Sequence, residues 1–130
     1  MNHQASALVI YAKDYKKLAQ FYSAVLQLEI TEHDHEFILM ASEGFELVIL
    51  QAPASITQNI SINDPPTRRE NTPIKPVFFV NNLQTARNLA KDNGGFVNDA
   101  DKAWIFNQNL VCDGYDPEGN IFQLRASHIP

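Results

Sequence analysis

Hydrophobic and polar positions alternate along this chain in two recognisable ways. After Asp14, apolar residues fall at Leu18, Phe21, Tyr22 and Val25, the three-and-four spacing of a helix with one buried stripe, and Asp14 supplies its N-cap. A second helix is predicted from Asn82, presenting Leu83, Ala86, Leu89 and Ala90 and ending at Asn93-Gly94-Gly95, where glycine takes the left-handed conformation. The stretches "EFILMA" and "FELVILQ" read as strands joined by Ser42-Glu43-Gly44. Near the end, "DPEGNIFQLRA" reads as a tight turn and then a strand. That strand carries Phe122 and Leu124 on one face and Ile121, Gln123 and Arg125 on the other.

The two helices belong to two copies of one pattern. Setting Asp14 on Asn82 lays Leu8, Val9, Ile10 and Tyr11 over Pro76, Val77, Phe78 and Phe79. Setting Gly44 on Gly119 lays "EGFELVILQ" over "EGNIFQLRA". Each copy is a strand, a helix and then two or three more strands, so the fold class is α+β, built from two tandem units. Unit one spans 5–52 and unit two 75–127. The intervening 53–74, rich in Pro, Asn, Ser and Thr, reads as a connector long enough to act as a lid or subunit contact. Within it Arg68-Arg69-Glu70 reads as a solvated run.

Composition narrows the function classes. At 130 residues and 45% hydrophobic, the chain is expected to form one compact domain. Ten Lys and Arg against fifteen Asp and Glu, a formal charge of -5, argue against a nucleic-acid partner. No apolar stretch approaches the roughly 20 residues that span a bilayer, so no membrane partner is expected. "MNHQASALVI" does not read as a secretion signal, and a single cysteine, Cys112, fits a reducing, cytoplasmic setting. In strand context Cys112 reads as a small buried hydrophobe. His33 and His35 in "EHDHEF" read as a solvated hairpin tip; His3 and His128 lie near the termini.

The pattern resembles the vicinal oxygen chelate superfamily, which includes glyoxalase I, fosfomycin-resistance enzymes, extradiol dioxygenases and bleomycin-resistance proteins. "DYKKLAQFYSAVLQLEI" is similar to that family's Asp-led helix with a Phe-Tyr pair, and "DPEGNIFQL" to its Asp-Pro-acidic-Gly-Asn turn. The resemblance implies two tandem βαβββ units forming curved mixed sheets around a cavity, with the helices packed outside and the cavity on the strand faces turned away from them. On that face alternation places Ala7, Val9, Tyr11, Glu46, Val48, Leu50, Lys75, Val77, Phe79, Ile121, Gln123 and Arg125. Leu8, Ile10, Leu47, Ile49, Phe78, Phe122 and Leu124 then face the helices as core.

It also implies a metal. The family's enzymes mostly hold a divalent ion with His and Glu at four repeat-related positions, which here carry Ala7, Val48, Lys75 and Gln123. Ala and Val do not ligate, lysine is cationic, and Gln offers one neutral oxygen, whereas transition-metal sites gather several imidazole, thiolate or carboxylate donors. The expected character is therefore that of the metal-free bleomycin-resistance branch, with no metal, no cofactor and no catalytic residue assigned. The expected function is sequestration of an aromatic or amphipathic small molecule by Tyr11, Val48, Lys75, Phe79, Trp104, Gln123 and Arg125. Lys75 and Arg125 would favour an anionic or carbonyl-rich ligand, and Trp104 and Phe106 would stack on a planar one. Each has a plainer reading: Tyr11 and Phe79 fill a small cavity, Lys75 and Arg125 meet Glu46 or Asp113 or reach solvent, and Trp104 packs a core or dimer contact. The alternative function is a glyoxalase- or dioxygenase-like enzyme with a non-standard metal site, or a metal-free one using Glu46 or Asp113 as base. A homodimer is expected by resemblance.

Overall fold

The computed structural model describes residues 4–128. Unit one runs β1 (Ser6–Ala12), α1 (Tyr15–Leu26), β2 (Glu29–His33), β3 (Phe37–Ser42) and β4 (Phe45–Gln51). A single-turn helix, α2 (Ala54–Thr57), opens the connector, which holds a cis peptide at Asp64-Pro65. Unit two follows with β5 (Val77–Phe79), α3 (Leu83–Asp92), β6 (Phe96–Val97), β7 (Trp104–Phe106), β8 (Asn109–Tyr115) and β9 (Ile121–Ser127).

The predicted repeat is present in the strand order. The first sheet runs β1-β4-β3-β2 and the second β5-β9-β8-β6 with β7 also on β8. In each, the first strand pairs in parallel with the last and the others are antiparallel. Where unit one has β2, which carries an irregularity between Ile30 and Glu32, unit two has two shorter pieces. There β6 pairs with one end of β8 and β7 with the other, separated by a short helical turn at 100–102. No strand of one sheet is hydrogen-bonded to a strand of the other among the described residues.

Local chemistry sets the helix ends. The Asp14 carboxylate accepts from Lys17 N at 3.2 Å, and the Asn82 side chain accepts from Thr85 N at 2.9 Å, each taking one of the unpaired donors of a first turn. Gly94 lies just past α3 at φ +90°, as the sequence predicts. The end of α1 falls to Gln27 at φ +55°, a left-handed cap that no glycine signals.

One apolar core serves both units. Leu18, Phe21, Tyr22 and Val25 are buried on α1 with Met40, Leu47 and Ile49 of the first sheet and Phe78, Phe122 and Leu124 of the second. Leu8 and Ile10 are partly buried and pack against this cluster. The rings of Phe21, Tyr22, Phe78 and Phe122 meet with centroids 5.1–6.3 Å apart, so α1 packs across the junction of the two units. Each such ring or large aliphatic group is worth about 1.5–3 kcal/mol when fully withdrawn from water.

The turn 116–120 fastens that junction. Asp116 is wholly buried; its Oδ2 accepts from Tyr22 Oη at 2.7 Å and Asn120 Nδ2 at 2.9 Å, and its Oδ1 from the Glu118 and Asn120 amides at 2.8 and 3.0 Å. Glu118, also buried, accepts from the Lys13 and Asp14 amides at 2.9 and 2.8 Å, so a carboxylate of unit two holds the loop that launches α1. The connector docks on the same turn: Arg69 N donates to Gly119 O at 2.9 Å and Arg69 Nε to Glu118 O at 3.1 Å. The Arg68 guanidinium bonds Asn98 Oδ1 and lies 5.0 Å from the Tyr115 ring centroid. Arg69 and Glu70 are exposed as expected of a solvated run, yet Arg68, which is half-buried, and Arg69 also anchor the connector to the turn.

Burial sets the chemistry of this turn. It drives the Tyr22 phenol well above its ordinary range, with the Asp116 charge adding to the rise. Burial also raises Asp116, against the pull of its hydrogen bonds from Tyr22, Asn120 and the turn amides.

Candidate functional site

Strand register assembles a face on the second sheet. Because β9 lies between β5 and β8, Val77, Gln123 and Asp113 form one row, and Phe79, Arg125, Val111 and Trp104 the next. All point away from the helices, since the alternate residues Phe78, Phe122, Leu124 and Cys112 belong to the core. Val111 is fully buried yet outside that core cluster, which makes it the floor of this second face.

A chain of polar contacts crosses the floor. Lys75, just before β5, places Nζ 2.8 Å from Asp113 Oδ2. Gln123 Nε2 donates to Asp113 Oδ1 at 3.3 Å, and Gln123 Oε1 accepts from Arg125 Nε at 2.9 Å. Gln123 therefore sits mid-face with its amide turned by two charged neighbours, and it is 8% exposed. The Arg125 guanidinium lies 4.9 Å from the Phe106 ring centroid and 6.0 Å from that of Phe79.

Around this polar line the face is apolar and open. Phe79, Phe106 and Trp104 are 67%, 52% and 41% exposed, unusual for large rings without a covering partner. Val77 and Phe79 also border a cleft of about 760 Å³ between the units, whose other walls include Leu28, Phe45 and Leu89.

Of the seven binding residues expected from the sequence, five come together here: Lys75, Phe79, Trp104, Gln123 and Arg125. Tyr11 and Val48 lie on the first sheet, Val48 paired between Val9 and Leu39 and Tyr11 beside Leu50, with Tyr11 65% exposed. Lys75 precedes its strand rather than opening it, because β5 begins at Val77. It reaches the face through its long side chain. Sequence reasoning missed Val111, whose place was available from the alternation of "NLVCDGY" against Cys112.

The donor set at the family's metal positions does not suit a transition-metal ion. Ala7 and Val48 have no donor atom, Lys75 is an ammonium already paired with Asp113, and the Gln123 carbonyl oxygen is taken by Arg125. Among the described residues no three His, Cys, Asp or Glu side chains converge. His35 lies 3.7 Å from Glu36 with both side chains exposed; His3 lies outside the described residues. No helix is long and apolar enough to cross a membrane among the described residues.

Comparison with known proteins agrees with this architecture. A hypothetical protein of Staphylococcus aureus (SA1046) superposes with a TM-score of 0.65 at 18% identity, over 95% of this chain and 94% of its own. A glyoxalase/bleomycin resistance protein/dioxygenase family enzyme of Burkholderia phytofirmans superposes at 0.68 and 14% identity, covering 95% and 98%. The bleomycin resistance determinant encoded on the transposon Tn5 superposes at 0.62 and 12% identity, covering 98% and 100%. No curated protein matches the sequence. Identities this low establish shared fold and no more. Residues 7–125, however, match the glyoxalase-like domain as a family, and with its two βαβββ units the chain belongs to that family, within the vicinal oxygen chelate superfamily.

Proposed function

We propose that this protein is a metal-independent binding protein that sequesters an aromatic or amphipathic small molecule on the sheet faces turned away from its helices. The observation that carries the reading is the second-sheet face: exposed Phe79, Phe106 and Trp104 around the Lys75–Asp113–Gln123–Arg125 chain, where relatives with enzymatic activity would need metal ligands. A mostly apolar surface with a few oriented polar groups is the usual make-up of a small-molecule site. The fold is shared by a bleomycin resistance determinant and by a family enzyme alike, so the choice rests on the face itself.

The working unit is a homodimer, most simply one in which a second copy covers faces left open in a single chain. Val9 and Tyr11 on the first sheet and Phe79 and Trp104 on the second are exposed, and a second copy would cover them. Such a dimer would place Tyr11 and Val48 opposite a partner's second sheet and so unite all seven residues. The setting is cytoplasmic.

Calorimetric titration with a broad panel of planar aromatic and amphipathic compounds tests the reading, alongside light scattering for the subunit count. At least one compound should bind more tightly than about 100 μM, a modest affinity for a pocket of this kind, and Phe79→Ser should weaken it. A panel without any such binder, or a stoichiometric transition metal in protein purified without chelators, would overturn it.

A further inference from the structure

We infer that the ligand carries a carboxylate or similar planar oxyanion and that Arg125 is the residue that selects it, the inference resting on the binding function proposed above. Strands β5, β7, β8 and β9 contain only two charged side chains, Asp113 and Arg125. Asp113 is neutralised by Lys75 at 2.8 Å, which leaves Arg125 as the one uncompensated charge contributed by these strands. The sequence alone places Lys75 and Arg125 on equal terms as anion anchors; the ion pair separates them.

Geometry then defines what the charge can hold. Arg125 Nε donates to Gln123 Oε1, and among the described residues its two terminal nitrogens have no hydrogen-bond or ion-pair partner. The guanidinium is braced by Phe106 at 4.9 Å, and the Gln123 amide that orients it is itself held by Asp113. The fork is thus fixed before any ligand arrives, with one edge free. A planar guanidinium with a free edge matches a carboxylate through two parallel hydrogen bonds, and fixing it beforehand reduces the ordering cost of binding. A dianion would want a second free cation, which the Lys75–Asp113 pair withholds. Phe79 lies beside Arg125 in the same row and Trp104 beyond Val111 on its other side, so an aromatic body attached to the carboxylate lies along this row.

Three probes with one ring system test this: 2-naphthoate, 2-naphthamide and 2-naphthylmethylammonium, titrated calorimetrically at low salt. Naphthoate should bind about tenfold more tightly than the amide, the scale of one charge-assisted contact at a partly open site, and the ammonium should bind most weakly. Arg125→Gln should erase the preference for naphthoate over naphthamide. Arg125→Lys, which keeps the charge without the fork, should retain only part of that preference, and it serves as the deciding variant if Arg125→Gln does not fold. Equal affinity for naphthoate and naphthamide, or a preference that survives Arg125→Gln, overturns the anion assignment while leaving the binding face intact. Failure of all three probes to bind the wild type overturns the anion assignment, while the binding function itself stands or falls with the broader panel.

Discussion

The two units end in the same topological turn, and the chain has built those turns in opposite ways. Gly44 and Gly119 both stand at φ +85° between the last two strands of their units. A Cβ added at Gly44 would meet nothing within 4 Å, whereas one at Gly119 would run into the Thr67 carbonyl oxygen. The first turn only reverses the chain. The second buries Asp116 and Glu118, fastens the start of α1 and receives the connector. The difference extends to the strands they launch. β4 presents Val48 and β9 presents Gln123 and Arg125 in a network of hydrogen bonds, so the rigid turn belongs to the unit that carries the polar site. The Asp-Pro-Glu-Gly-Asn sequence is in this chain a clamp between units, and it sets where β9 begins.

The contrast between the turns is lost most severely at Asp116. Asp116→Ala should cost about 4 kcal/mol in unfolding free energy by denaturant titration, since the Tyr22 hydroxyl and the turn amides lose their buried acceptor together. Gly119→Ala should follow at about 3 kcal/mol, combining backbone strain with a clash against fixed backbone, while Gly44→Ala should lose only about 1 kcal/mol from strain alone. Equal costs at the two glycines would remove the distinction drawn between the turns.

Tyr22→Phe probes the same clamp through pH. The phenol is raised well above its ordinary range in the folded protein, so it stays neutral there while the unfolded chain ionises near pH 10. Its contribution is full below that pH and is lost as pH rises, with a slope of up to about 1.4 kcal/mol per pH unit. The variant should be about 1 kcal/mol less stable at pH 7 and should close that gap above pH 10. Asp116 is raised as well, so its own contribution is greatest in acid and declines as pH climbs through its folded value. A gap that widens in alkali would contradict the assignment. The smallest stability effect belongs to Phe79→Ser: the ring is 67% exposed, so the unfolding free energy of dilute protein should move by less than about 0.5 kcal/mol.

Much of this was legible in the sequence because it is enforced locally. The caps Asp14 and Asn82, the apolar stripe of α1 and the strand alternation in "NIFQLRA" each arise from contacts within a few residues or from one buried face. Placing Gly44 over Gly119 is enough to put Gln123 at the centre of its sheet face. Long-range features were not legible. That Glu118 would bind the Lys13 and Asp14 amides depends on two units meeting about a hundred residues apart in the chain, and no local pattern reports it. The pairing of Lys75 with Asp113, which leaves Arg125 alone, depends on where a side chain ahead of β5 reaches. Arg68 and Arg69 look like surface charge because nothing in their neighbourhood reveals the turn they dock on. Repeat position matches Tyr11 to Phe79 and Val48 to Gln123, and the fold puts the two members of each pair on different sheets.

Whether the second-sheet face works without a metal is decided by the affinity of a binder found in the panel, measured before and after exhaustive dialysis against EDTA. The dissociation constant and binding enthalpy should be the same in both preparations, because Lys75, Gln123 and Arg125 act as organic groups. Binding that disappears with the chelator and returns on adding Zn²⁺, Ni²⁺ or Mn²⁺ would contradict metal independence outright.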